Sequence, residues 1–196
     1  MNTRICLAAL LVLLFAGCVA PGVNIDASKW VIDVASNDAA PTGPIKIYDS
    51  QNRLMLDGSL VAGKMDGTWT AWTSDGERVV IWHYRNGLRH GPIQMWYGRF
   101  AYPEAAGRLK LEGDFEDGHY EGKVTRYHAS GARRSVRLYE QGVIKSAQCW
   151  GPDGTEQPPA LTAEVAAEEH KGDMTYLENL EGMVPTSLAQ AQRRIR

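Results

Sequence analysis

Apolar residues in this chain fall into short runs separated by glycine-bearing polar turns, and the pattern repeats. The segment Asn52-Arg-Leu-Met-Leu-Asp-Gly-Ser-Leu-Val-Ala-Gly-Lys-Met-Asp-Gly67 matches Gly107-Arg-Leu-Lys-Leu-Glu-Gly-Asp-Phe-Glu-Asp-Gly-His-Tyr-Glu-Gly122 position for position. Leu54 falls with Leu109, Leu56 with Leu111, Gly58 with Gly113 and Leu60 with Phe115. Extending the register gives four units opened by Gly43, Gly67, Gly91 and Gly122, in steps of 24, 24 and 31 residues. The third unit therefore carries seven extra residues. A second series runs Gly63, Gly87, Gly118 and Gly142, and a third runs Asn52, Gly76, Gly107, Gly131 and Gly154. Ahead of each member of the third series stands an aromatic residue: Tyr48, Trp72, Trp96, Tyr127 or Trp150. Self-similarity at a fixed period decides the architecture before local propensity does.

Each unit reads as a strand, a turn, a return strand and a second turn. Thr68-Trp-Thr-Ala-Trp-Thr73 is rich in β-branched and aromatic residues, which fit a pleated surface. Ser74-Asp75-Gly76 supplies a hairpin turn, because Asp and Gly tolerate positive φ. Linked hairpins make an antiparallel meander, and each hairpin is marginal alone but stable on its neighbours. The expected fold is mainly β: an elongated meander of about four stacked hairpins, followed by short C-terminal helices. Period-two spacing places Leu54, Leu56, Gly58 and Leu60 on one face, with the glycine leaving room for a neighbouring ring. Trp69 and Trp72 are three apart, so either a bulge intervenes or both faces carry apolar groups. Such a sheet must be covered or must bind something.

The tail offers a cover. Residues 161–171 are Ala/Glu-rich and helical by propensity. Gly172 is expected to end that helix, Asp173 to cap a second ending at Gly182, and residues 187–196 to form a third. Met174, Leu177, Leu180, Met183 and Val184 form the apolar set that would dock on the sheet. The basic residues Arg193, Arg194 and Arg196 are read as solvated.

The N-terminus reads as a targeting segment. A short positive start ends at Arg4, an apolar run covers Ile5 to Phe15, and Leu14-Phe-Ala-Gly-Cys18 follows. The run is of signal length, too short for a spanning helix. It resembles a bacterial lipoprotein signal, which implies that Cys18 is acylated and becomes the first mature residue. Several acyl chains give stable anchoring where one is marginal. The same resemblance implies, from Val19 in place of an acidic residue, the outer membrane, facing the periplasm. The segments are then the leader 1–17, a tether with a first strand at 18–42, the repeat array 43–154 and the helical tail 155–196. Cys149 remains as a lone thiol, read as a buried small hydrophobe. Net charge is −2, so no general affinity for nucleic acid is expected.

The unit Gly-x-Φ-x-x-Trp/Tyr-x-x-x-Gly…Tyr/Phe-x-x-Gly, carried by Gly67, Trp69, Trp72, Gly76, Tyr84 and Gly87 and their counterparts, resembles the MORN repeat. It is closest to the bacterial variant found in proteins labelled antitoxins. Unit four departs from it, because Arg133, Ser135 and Arg137 replace the apolar row. The resemblance implies stacked β-hairpins that contact proteins or lipids, and no reaction. His83, His90, His119, His128 and His170 show no metal-ligand spacing. No nucleophile elbow, P-loop or dinucleotide fingerprint is present, so no catalytic residue, metal or cofactor is assigned beyond the lipid on Cys18. The insertion Tyr97-Gly-Arg-Phe-Ala-Tyr-Pro-Glu-Ala-Ala106 is either a loop packed on its own sheet or a partner-binding loop. Tyr97, Arg99, Phe100 and Tyr102 are interface-anchoring types, and Trp72 and Trp96 are either core or contact surface. The expected role is a non-enzymatic envelope lipoprotein with a protein partner and a membrane anchor. Two alternatives are an immunity protein neutralising a toxin and a cell-wall glycan-binding module.

Overall fold

The computed structural model describes residues 31–34 and 40–194, with side chains described from 40 to 185. The leader, Cys18, the tether to Trp30 and the side chains of the basic C-terminal cluster lie outside the described residues. Ten strands follow one another in chain order across one antiparallel sheet: β1 (Val31–Val34), β2 (Gly43–Tyr48), β3 (Leu54–Val61), β4 (Lys64–Trp72), β5 (Arg78–Arg85), β7 (Gly91–Trp96), β8 (Leu109–Glu116), β9 (His119–Tyr127), β10 (Arg133–Glu140) and β11 (Val143–Cys149). The two-residue β6 (Leu88–Arg89) pairs only with β5. The sheet runs from β1 to β11 and does not close into a barrel. One helix, α1 (Pro159–Arg194), follows it.

Two kinds of turn alternate. Ala62-Gly63, Asn86-Gly87, Asp117-Gly118 and Gln141-Gly142 have positive φ at both residues, the form whose twist matches paired strands. In the other kind, Thr73 to Gly76 for example, the Gly76 N–H donates to the Thr73 carbonyl at 3.0 Å and the Thr73 N–H to the Glu77 carbonyl at 2.8 Å. Neighbouring hairpins are also tied directly. The N–H groups of Gly63, Gly87, Gly118 and Gly142 donate to the carbonyls of Pro41, Met65, Arg89 and Tyr120 in the hairpin before.

After each turn of this second kind, and after the inserted loop that replaces it between β7 and β8, the return strand carries one extra residue. Register passes from Ile47↔Leu56 to Tyr48↔Leu54, from Ala71↔Val80 to Trp72↔Arg78, from Met95↔Leu111 to Trp96↔Leu109, and from Arg126↔Ser135 to Tyr127↔Arg133. The extra residues are Met55, Val79, Lys110 and Arg134, and Met55 and Val79 pack with the core. This corrects the row expected from strict alternation: Leu54 and Leu109 leave it and stand opposite Tyr48 and Trp96. Bulges flip residues in this way because one extra residue shifts the side-chain period of two. Trp69 and Trp72 lie on opposite faces, Trp69 fully buried and Trp72 half-buried. Gly58 makes room for Trp69, since a Cβ there would sit 2.2 Å from its ring.

Helix α1 covers one face. Thr162, Ala166, Glu169, Asp173, Leu177, Leu180 and Val184 are buried and recur at helical spacing. Leu177, Leu180, Met183 and Val184 join a core with Trp69, Trp82, Tyr84, Phe115 and Tyr120, and Met174 packs against it. The tail therefore docks on the sheet with the apolar set its sequence offers. It does so as one helix of 36 residues that runs through Gly172, Gly182 and Pro185, not as several short ones. Asp173 is not a cap either. It is buried in mid-helix, bonded to Arg126 and, at 2.9 Å, to Arg137. Glu169 accepts from Arg134 at 2.6 Å and from the Ser135 hydroxyl. Tertiary contact overrides the helix-breaking signals, because helical stability comes mostly from the buried face. The same contact explains the polar residues Ser135 and Arg137 in the fourth unit: they face carboxylates. Arg133 belongs elsewhere, with its guanidinium 5.1 Å from the Trp150 ring.

Candidate functional site on the open sheet face

The opposite face carries a row that crosses the sheet. The paired residues Tyr48↔Leu54, Trp72↔Arg78, Trp96↔Leu109 and Tyr127↔Arg133 follow in order, and Trp150 stands beyond them. Strands lie about 4.8 Å apart, so an aromatic ring recurs roughly every 10 Å along this row. All five rings are half-buried. Trp72 Nε1 donates to Asp57 at 2.8 Å, and the Tyr127 hydroxyl donates to Glu112 at 2.6 Å. That bond to Glu112, ahead of burial, pushes the Tyr127 phenol up to about 12. Arg78 lies 4.5 Å over Trp96 as Arg133 lies over Trp150. Asp57 and Glu112, Trp72 and Tyr127, and Arg78 and Arg133 are each 55 residues apart. The true repeat of this face is therefore a pair of hairpins.

The inserted loop divides in two. Tyr97 is buried, its hydroxyl donating to the Tyr127 carbonyl at 2.6 Å, and it meets Tyr102 edge-on at 4.8 Å. A short 3₁₀ turn, Pro103–Ala105, buries Ala105 beneath it. Arg99 and Phe100 instead project outward, and Phe100 is 98% exposed. Arg99 clasps Glu77, with Nη2 to Oε1 at 2.6 Å and the backbone N–H to Oε2 at 3.1 Å, and approaches Asp75 at 3.9 Å. The loop tip is thereby fixed to the turn at residues 73–77. Beside that turn lies an open recess of about 430 Å³, lined by Arg53, Leu54, Trp72, Thr73, Ser74, Asp75 and Gly76.

The structure thus brings Trp72 and Arg99 to the turn at residues 73–77, with Phe100 exposed at the loop tip next to Arg99. Trp96 lies beneath Arg78, and Tyr97 and Tyr102 serve packing. Sequence reasoning missed Arg53, Asp75 and Glu77, although the match of Arg53 to Arg108 was visible. The repeat glycines Gly43, Gly67, Gly76, Gly87, Gly91, Gly107, Gly118, Gly122, Gly131 and Gly142 all have positive φ.

Three of the five histidines are bonded in ordinary ways. His83 Nδ1 is 2.9 Å from the Pro92 carbonyl, His128 Nε2 is 2.9 Å from the Trp150 carbonyl, and His170 Nδ1 is 3.1 Å from the Tyr139 hydroxyl. Cys149 is buried beside the Thr162 carbonyl, and burial raises its thiol pKa. Among the described residues, no group of three or more His, Cys, Asp or Glu side chains is placed to hold a metal ion. Compared with known protein families and with curated proteins, the chain matches none.

Proposed function

We propose that this chain is a non-enzymatic lipoprotein of the bacterial envelope, built on MORN-like hairpin repeats, whose open sheet face docks a protein partner. Anchoring runs through an acylated Cys18, and outer-membrane placement follows from Val19. One observation carries the docking reading: the helix covers one sheet face, while the other presents a row of half-buried aromatic rings and of arginine side chains, and Phe100 stands exposed at the tip of the inserted loop. Trp, Tyr and Arg are the residue types that dominate binding energy at interfaces. The side chains are held in place by Asp57, Glu112 and Glu77, so little rotamer entropy is lost on docking.

The anchor is tested by metabolic labelling with a fatty acid. Wild type incorporates it and Cys18→Ser does not; equal labelling removes the anchor. Docking is tested by a photoreactive amino acid placed at Phe100 in the intact envelope. A single discrete protein adduct is expected there, and none from the same group at Ala163 on the exposed side of α1. Identical products from both positions overturn the assignment.

A further inference from the structure

The recess beside Trp72 has a counterpart one double-hairpin along the chain. Adding 55 residues turns Arg53, Leu54, Trp72, Thr73, Ser74 and Gly76 into Arg108, Leu109, Tyr127, His128, Ala129 and Gly131. In that second copy Arg108 reaches across the gap and donates to the Ala129 carbonyl at 2.9 Å. In the first copy Arg53 does not cross. It folds back on Asp49, with Nε to Oδ2 at 2.6 Å, and Asp49 also accepts the backbone N–H groups of Gln51 and Arg53. The difference has a local cause. The tight turn that carries Asp49 is replaced in the second copy by the longer loop ending at Gly107. One gap is bridged and the other is left open.

The open gap has a particular chemistry. An indole forms one wall, with its N–H already committed to Asp57. Around it stand the hydroxyl of Ser74, the carboxylate of Asp75 and the guanidinium of Arg53, while the Thr73 hydroxyl is engaged by Asp75 and the Glu77 backbone. Arg53 is matched by Asp49, and Asp75 and Glu77 together face one Arg99, so the surroundings are near neutral and slightly acidic. An aromatic wall ringed by hydroxyl, carboxylate and guanidinium groups suits a ligand with an apolar C–H face and a hydroxyl rim. We infer that this recess is a saccharide subsite that stacks a neutral pyranose ring of a glycan on Trp72. Acidic sugars are disfavoured by Asp75 and Glu77. Because the wall is shallow, single rings bind weakly and short oligosaccharides are held better. The inference stands apart from the protein-docking reading, and each can fail without the other.

The test follows the indole N–H signals of the full-length protein by NMR during titration with cellotetraose and chitotetraose, with Trp72 assigned from Trp72→Phe. The Trp72 signal is expected to move while those of Trp69, Trp82, Trp96 and Trp150 stay. Ser74→Arg, at an exposed turn position, is expected to abolish the shift, and Ala129→Arg, its counterpart in the bridged copy, to leave it unchanged. Absence of a Trp72 shift with both sugars overturns the inference. So does a shift that survives Ser74→Arg, one centred on Trp96 or Trp150, or an equal response to tetragalacturonate.

Discussion

The two faces of this sheet are built from the same hairpins and solve opposite problems. On the covered face the core side chains are buried, and four polar residues meet carboxylates of the helix: Arg126 and Arg137 share Asp173, and Arg134 and Ser135 share Glu169. On the open face the rings remain half-exposed, and Trp72, Trp96, Tyr127 and Trp150 are each steadied by a neighbouring side chain. Removing a contact should therefore cost stability on the first face and recognition on the second.

The sharpest break in that contrast comes from Asp173→Ala. It removes the carboxylate that two buried guanidinium groups bond directly, leaving Glu169 at 3.9 Å from each, and losses of about 3–5 kcal/mol follow when a buried pair is halved. Urea denaturation reads the effect. A loss below about 1 kcal/mol would mean that α1 does not rest on this pair. Next come the spacer glycines. Gly58→Ala should cost on the order of 1–3 kcal/mol, because its Cβ would lie 2.2 Å from the Trp69 ring. Gly113→Ala should cost less, since its clash is with a Val124 methyl at 2.8 Å. The reverse order would put the tight spot elsewhere. Gly172→Ala and Gly182→Ala should each stabilise by roughly 0.5–1 kcal/mol. Both sit inside the helix with no atom within 4 Å of an added Cβ. A loss at either would show that the helix is not continuous there. At the exposed loop tip, Phe100→Ala should leave stability within about 0.5 kcal/mol while weakening capture of the partner.

A pH effect just below neutrality is expected from the covered face. Burial lowers the pKa of His170, with the Arg137 charge adding to it. The unfolded chain then binds the proton more readily than the folded one, so stability falls as pH drops through the ordinary histidine value of about 6.5. His170→Gln should flatten that acid limb in urea midpoints measured from neutral pH downward. An unchanged limb would assign the proton uptake to another group.

Much of the fold was legible because backbone needs are written in glycine. Each member of the three glycine series, Asn52 included, has positive φ, which side-chain-bearing residues rarely adopt. The docking set from Met174 to Val184 was readable from its helical spacing. The bulges were not, since nothing in Leu54-Met55-Leu56 marks the middle residue as the one that turns inward. Nor was the unbroken helix. Gly172 and Pro185 are local stop signals, and a distant sheet outweighs them. The buried charges left a trace on both sides, as Ser135 and Arg137 in an apolar row and Glu169 and Asp173 one turn apart, but only the folded chain pairs them. On the candidate site, Trp72, Arg99 and Phe100 were named for their types. The recess was hidden because it depends on which way Arg53 turns.

The division of labour between the faces can be read in one measurement: hydroxyl-radical footprinting of the aromatic side chains, compared between purified protein and the intact envelope. Trp69 and Trp82 should be protected in both settings. Trp72, Trp96, Trp150 and Phe100 should be oxidised in the purified protein and protected in the envelope. Equal oxidation of those four residues in both settings would contradict an open face that docks a partner.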